Sequence, residues 1–159
     1  MRYTITFLFI AFSVFSTAHA EEHALTDFVS NFDYDTRVEM KASSRELVDL
    51  LQEGEAQLVD IRFKEEYEAW HIGVGTNIPL NELPDRLNEL DKDKVIVTAC
   101  PHKDRAIIAM TYLRTKGYQT MYLKDGLIGC LLYTSPSPRD CVSNLVCRLL
   151  LEKGGGGGG

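Results

Sequence analysis

Three short apolar runs, "AQLVDIR" at 56–62, "KVIVTAC" at 94–100 and "YQTMYL" at 118–123, alternate with longer stretches of helical periodicity. Runs of this length that are apolar at nearly every position, with β-branched residues throughout the middle one, read as strands buried on both faces. The stretches between them carry helix punctuation. "SSRELVDLLQEG" opens on a Ser43-to-Glu46 capping box, places Leu47, Leu50 and Leu51 on one face and stops at Gly54. "RAIIAMTYLRTKG" is a second helix, closed by Gly117. Strands separated by helices cannot pair as hairpins, so the fold class is α/β, with a parallel sheet flanked by helices. "FKEEYEAW" reads as a short helix or turn, "TNIPL" as a brief strand, and "LPDRLNEL" as a helix with Pro84 in its first turn.

Neither terminus continues this pattern. "MRYTITFLFIAFSVFSTAHA" has an early Arg2, an apolar core from Ile5 to Phe15, and small residues at Ala18 and Ala20 in the spacing of a secretory cleavage site. Residues 1–20 are therefore expected to be a signal peptide cleaved after Ala20, because the apolar core is shorter than the roughly 20 residues a membrane span needs. A periplasmic or secreted location follows, with no membrane attachment after cleavage. Residues 21–39 form an acidic leader, in which Phe28, Phe32 and Tyr34 are the aromatic anchors.

At the other end, "CLLYTSPSPRD" at 130–140, back-translated, resembles a transposase sequencing adapter. "NLVCRLLLEK" at 144–153 resembles the oligonucleotide that follows the sample index in such libraries, and the closing six glycines resemble a run of uncalled bases. Residues 130–159 are accordingly read as a non-native, adapter-derived tail. The folded domain is then 40–129, truncated at its C-terminus, with its last helix expected to be missing.

Trimming alters the charge and the cysteine count. Of 17 Lys and Arg, one lies in the signal and three in the tail; of 23 Asp and Glu, two lie in the tail. Residues 21–129 thus hold 13 basic against 21 acidic groups, a net charge of −8. An acidic surface argues against nucleic acid or anionic lipid as a partner. Cys130, Cys141 and Cys147 all fall in the tail, leaving Cys100 as the single native thiol. One thiol in an exported chain cannot close an internal disulfide, which points to a reactive thiol or an intermolecular bridge, with a small buried hydrophobe as the plainer alternative.

Cys100 ends the "KVIVTAC" strand, and in parallel α/β sheets the chemistry sits at the carboxyl ends of strands. The loop Pro101, His102, Lys103, Asp104 then leads into a helix whose first turn holds Arg105. Unpaired backbone N–H groups at a helix start favour a thiolate or a bound anion, and Lys103 and Arg105 add positive charge, so the Cys100 pKa is expected to be lowered. Pro101 contributes no N–H.

These residues resemble the rhodanese family of sulfurtransferases, where a strand ends in a C-x-x-x-x-R loop, here Cys100 to Arg105. A second signature resembles "LVDIRFKEEYEAWHIGVGTNIPL" and a third "KGYQTMYLKDGLIG". The resemblance covers 43–129 and implies a three-layer rhodanese-like fold. It also implies a cysteine persulfide enzyme without a cofactor, moving sulfur from thiosulfate or polysulfide to cyanide, a thiol or an acceptor protein. Cys100 would be the nucleophile, with the sulfur cradled by backbone from His102 to Ala106. His102 and Lys103 would hold the donor's charged end, and Arg105 would order the loop around Asp104. Asp60, Arg62 and His71 are assigned structural roles near the site, and no metal is expected, since His71 has no second ligand at useful spacing. Related phosphatases have one more residue between Cys and Arg, so the loop here suits a single sulfur atom. The chain departs from the family at Lys103, where glycine is usual, and at Ala106, where a hydroxyl residue is frequent. A sulfur carrier and a non-catalytic protein-binding module are the alternatives on this fold.

Overall fold

The computed structural model describes residues 23–134, with side chains placed through residue 131; residues 1–22, which include the expected signal peptide, and residues 135–159 of the expected adapter-derived tail lie outside the described residues. In chain order the elements are helix α1 (23–30), helix α2 (Tyr34–Glu39), strand β1 (Lys41–Ala42), helix α3 (Ser44–Glu53), strand β2 (Ala56–Asp60), helix α4 (Lys64–Ala69) and strand β3 (Thr76–Asn77). Strand β4 (Val95–Ala99), helix α5 (Asp104–Thr115), strand β5 (Thr120–Leu123) and helix α6 (Gly126–Thr134) follow. The five strands form one parallel sheet in the order β1-β5-β4-β2-β3.

The continuous apolarity of the central strands has a direct structural counterpart. Along β4, Ile96 packs with the cluster on one face, containing Ala106, Met110 and Leu113 of α5 together with Leu83. Its neighbour Val97 packs on the other face with Leu47 of α3 and Leu127 of α6. Strand β2 divides in the same way between Val59 and Leu58. Successive side chains point to opposite faces, so a strand covered on both sides is apolar at most positions, and its buried polar groups, such as Thr98, are hydrogen-bonded. The result is three layers, α5 on one side of the sheet and α3 with α6 on the other.

Local signals act as the sequence predicts at α3. The Ser43 hydroxyl accepts from the Glu46 amide at 3.2 Å, and the Glu46 carboxylate accepts from the Ser43 amide at 3.3 Å. Gly54 ends the helix in the left-handed region, at φ 76°.

Three features differ from the sequence reading. "LPDRLNEL" forms two single 3-10 turns, Leu83–Asp85 and Leu87–Glu89, where a continuous helix is expected. Side chains from elsewhere in the fold fasten the second turn: Gln57 donates to the Glu89 carbonyl and accepts from the Asp91 amide, while the Tyr118 hydroxyl donates to the Leu87 carbonyl. Strand β1 is also new. It has two residues and no apolar run, and is defined by backbone pairing alone, with the Tyr122 amide on Met40 O and the Lys124 amide on Ala42 O, each at 2.9 Å. Finally, α6 supplies a C-terminal helix that runs across residue 129. Its apolar "GLIGCLLYT" places Leu127, Cys130 and Leu131 against the cluster of Ala42, Leu47 and Leu123.

The leader is helical. Of its aromatic residues, Phe28 is half-buried and meets Phe32 edge-on, whereas Phe32 and Tyr34 are exposed. A cleft of about 970 Å³ lies between the leader and the start of β5, lined by Phe28, Thr36, Glu39, Arg114 and Tyr118 among others. It is at the opposite end of the sheet from Cys100.

Candidate active site

Strand β4 delivers Cys100 to the carboxyl edge of the sheet, where its side chain is fully buried. The chain then turns through Pro101, His102 and Lys103 into α5. Lys103 stands at the N-cap with φ −162°, an extended conformation open to any residue, so a lysine is accommodated where the family favours glycine. It offers no side-chain acceptor to the first amides of α5. Those amides are left to face the sulfur, and the backbone N–H groups of Ala106, His102 and Arg105 all bear on Cys100 Sγ.

The charges around this cradle differ from those the sequence suggests. Arg105 does not act on the sulfur as a free cation: its guanidinium forks onto Glu66 of α4, with Nη1 to Oε2 at 2.6 Å and Nη2 to Oε1 at 2.8 Å, and lies 5.9 Å from the Phe63 ring centroid. Arg105 holds the Glu66 carboxyl down at about 2. The charged group in contact with the sulfur is Asp104, whose Oδ1 accepts from Cys100 Sγ at 3.7 Å. His102, Lys103 and Asp104 are exposed on the loop. The Cys100 pKa is consequently raised, against expectation: burial is the main cause, and the Asp104 carboxylate adds to it. The three backbone N–H groups pull the other way without prevailing.

Of the residues assigned structural roles, Asp60 and Arg62 lie at the end of the strand paired with β4. Asp60 and Arg62 form a buried pair at the end of β2, with Arg62 Nη2 to Asp60 Oδ2 at 2.6 Å and both side chains almost fully enclosed. Arg62 also donates to the carbonyls of Glu66 and Trp70, and its guanidinium lies 4.1 Å from the Trp70 ring centroid. His71 is exposed, stacks on Tyr67 at 4.1 Å between centroids, and has Nδ1 2.9 Å from the Tyr67 carbonyl. Asn77 ties the same corner together by donating to the carbonyls of Asp60 and Arg62, each at 2.9 Å. Ala106 is buried, and its carbonyl accepts from the Thr98 hydroxyl at 2.9 Å. Among the described residues no three His, Cys, Asp or Glu side chains converge as a metal cage requires.

Two positions escape a reading based on the loop alone. Gly126, at φ +64°, backs directly onto the loop, and a Cβ there would overlap the Pro101 and His102 carbonyls and approach His102 Cα to 2.8 Å. This contact lets the first amides of α6 reach the loop, Leu127 N to Cys100 O at 2.9 Å and Ile128 N to Pro101 O at 3.3 Å. Glu66 is the other. Its signal, a carboxylate in the first turn of a short helix, is ordinary, and only the fold brings it to Arg105, 39 positions along the chain.

Comparisons with known proteins place this geometry in context. The family model described as Rhodanese-like domain matches residues 43–128. An HTH-type transcriptional regulator of Mycobacterium tuberculosis, Rv0324, is 37% identical over 111 residues; these are 69% of this chain, and the chain spans about half, 49%, of that relative. The thiosulfate sulfurtransferase GlpE of Pseudomonas syringae is 31% identical over 104 residues, 65% of this chain and 96% of that enzyme. Among solved structures, the human single-domain sulfurtransferase TSTD1 matches with a TM-score of 0.54 at 27% identity, covering 58% of this chain and 96% of that one. A cysteine ending the central strand of a five-stranded parallel sheet, a short loop closed by an arginine, and a family match over most of the described residues converge: the chain belongs to the rhodanese-like domain family, whose members here include sulfurtransferases.

Proposed function

We propose that this protein is a sulfurtransferase that carries a sulfane sulfur as a persulfide on Cys100, taking it from thiosulfate or a similar donor and giving it to a thiophilic acceptor. The observation that carries the reading is the convergence of the His102, Arg105 and Ala106 amides on a buried sulfur at the end of β4. The Cys100 thiolate attacks the outer sulfur of the donor, and sulfite departs when the donor is thiosulfate. The amides then stabilise the terminal sulfur anion of the persulfide. A second attack, by cyanide or a thiol, removes that sulfur and restores Cys100. Arg105, fixed by Glu66, keeps the loop wrapped. His102 and Lys103, both exposed on the loop, would meet the incoming donor. The signal segment supports action in the periplasm or outside the cell. Relatives named thiosulfate sulfurtransferase support the reaction class.

The test is an intact-mass measurement after incubation with thiosulfate, and separately with polysulfide and with an organic persulfide, of the wild-type chain and Cys100→Ser. Gain of one sulfur atom, lost on adding cyanide and absent from the variant, is the expected result. A folded wild-type protein that gains no sulfur from thiosulfate, polysulfide or an organic persulfide defeats the proposal and leaves a non-catalytic rhodanese-like binding module. A persulfide that turns over with a dithiol or a partner protein but hardly with cyanide favours the sulfur-carrier reading.

A further inference from the structure

The electrostatics of the loop are unusual for a site meant to receive a dianion. Two of the cations that the sequence supplies nearby do little for the sulfur. Arg105 is committed through both terminal nitrogens to Glu66, and Lys103 projects from the N-cap into solvent. The charged group in contact with Sγ is a carboxylate, Asp104 Oδ1, at 3.7 Å. Taken by element, the charges facing Cys100 are Asp104 and Arg105 from α5, with Glu66 of α4 behind Arg105. The loop itself adds the exposed His102 and Lys103. Any donor whose outer sulfur reaches Cys100 must bring the rest of its charge past Asp104.

We propose that Asp104 is a specificity-determining residue, whose carboxylate against Cys100 Sγ turns the loop away from dianionic donors such as thiosulfate and toward organic persulfides carrying at most one negative charge. This rests on the sulfurtransferase reading and narrows its donor. With an organic persulfide R–S–SH, the Cys100 sulfur attacks the outer sulfur. A new S–S bond forms at Cys100 as the bond to R–S breaks, and the pair of electrons leaves on RS⁻. That thiolate takes up the proton released from Cys100, so one persulfide is reduced to a thiol as another is formed, with no outside oxidant. Asp104 takes no proton in this step. It accepts a hydrogen bond from the resting thiol, and its charge discriminates by repulsion between donors that differ in net charge.

A readout that needs no sulfur transfer separates this claim from the activity itself. Cys100 of the full chain is alkylated with neutral iodoacetamide or anionic iodoacetate, and the two rates are read on the tryptic peptide containing residues 95–103. Taking the iodoacetate-to-iodoacetamide ratio cancels any change in thiolate population, which affects both reagents equally. Asp104→Asn is expected to raise that ratio about threefold to tenfold, Asp104→Glu to keep it near wild type, and molar salt to shrink the difference. The ratio of kcat/KM for thiosulfate over an organic persulfide should rise in parallel. Should Asp104→Asn fail to fold, as judged by its thermal transition, Asp104→Ser makes the same charge change. A ratio unchanged in a folded, charge-removed variant overturns the proposal whatever the sulfur-transfer assay gives. A chain that never forms a persulfide, yet shows the shifted alkylation ratio, sinks the sulfurtransferase reading and leaves the charge filter standing.

Discussion

Strands β2 and β4 lie side by side and end level, Asp60 opposite Ala99, yet their carboxyl ends are finished in opposite ways. At the end of β2 a carboxylate and a guanidinium are paired and buried, and two further guanidinium hydrogens go to the carbonyls of Glu66 and Trp70. At the end of β4 a thiol is buried with its neighbouring amides left open. Helix α4 serves both ends, since the Glu66 carbonyl accepts from Arg62 while its carboxylate accepts from Arg105. The difference teaches that position at the sheet edge does not make a residue reactive. A group whose hydrogen-bonding capacity is exhausted becomes scaffold, and chemistry is left to the neighbour that faces unused donors.

The strongest way to break this contrast is Arg62→Leu. It strands the Asp60 carboxylate, 2% exposed, without its partner, and we expect a loss of about 3–5 kcal/mol in urea denaturation. A loss near zero would mean that the β2 end is not the locked one. Gly126→Ala should follow, costing about 1–3 kcal/mol from the positive φ alone. It should also displace the loop, seen as a changed Cys100 alkylation rate in protein that still folds.

Glu66→Gln sharpens the comparison through pH. The folded-state pKa of Glu66 is lowered from 4.5 to about 2. The stability it contributes is therefore present above pH 4.5 and is lost as pH falls toward 2. Acid titration of the melting temperature should show this loss in the wild type and a flatter profile in the variant. For Cys100 the sign is reversed. Its folded pKa lies above 9.0, so the neutral thiol stabilises below that pH and the contribution fades above it. The iodoacetamide rate should accordingly keep climbing past pH 9.0; a plateau near neutrality would show that the amides outweigh burial and Asp104. The smallest effect is expected at Ser43→Ala, which removes the α3 cap for about 1 kcal/mol and should leave Cys100 alkylation untouched.

Much of this architecture was legible along the chain because its signals are local. The capping box at Ser43, the stop at Gly54 and the largely apolar, β-branched run of β4 each act within a few residues, and each element formed where those signals stand. The 3-10 turns at 83–89 were not legible, because the partners that fasten the second turn, Gln57 and Tyr118, are remote in sequence. Strand β1 has no pattern of its own and depends on the backbone of β5.

The sequence by itself determined the parallel α/β sheet and the place of Cys100 at the end of its central strand, since alternating buried strands and capped helices admit few other arrangements. Only the tertiary structure decided what the thiol feels. Arg105 and Asp104 are adjacent in the chain, and a count of charges treats them as cancelling. Folding sends the arginine to Glu66 and leaves the aspartate on the sulfur, because charge–charge energies follow distance and burial rather than order along the chain.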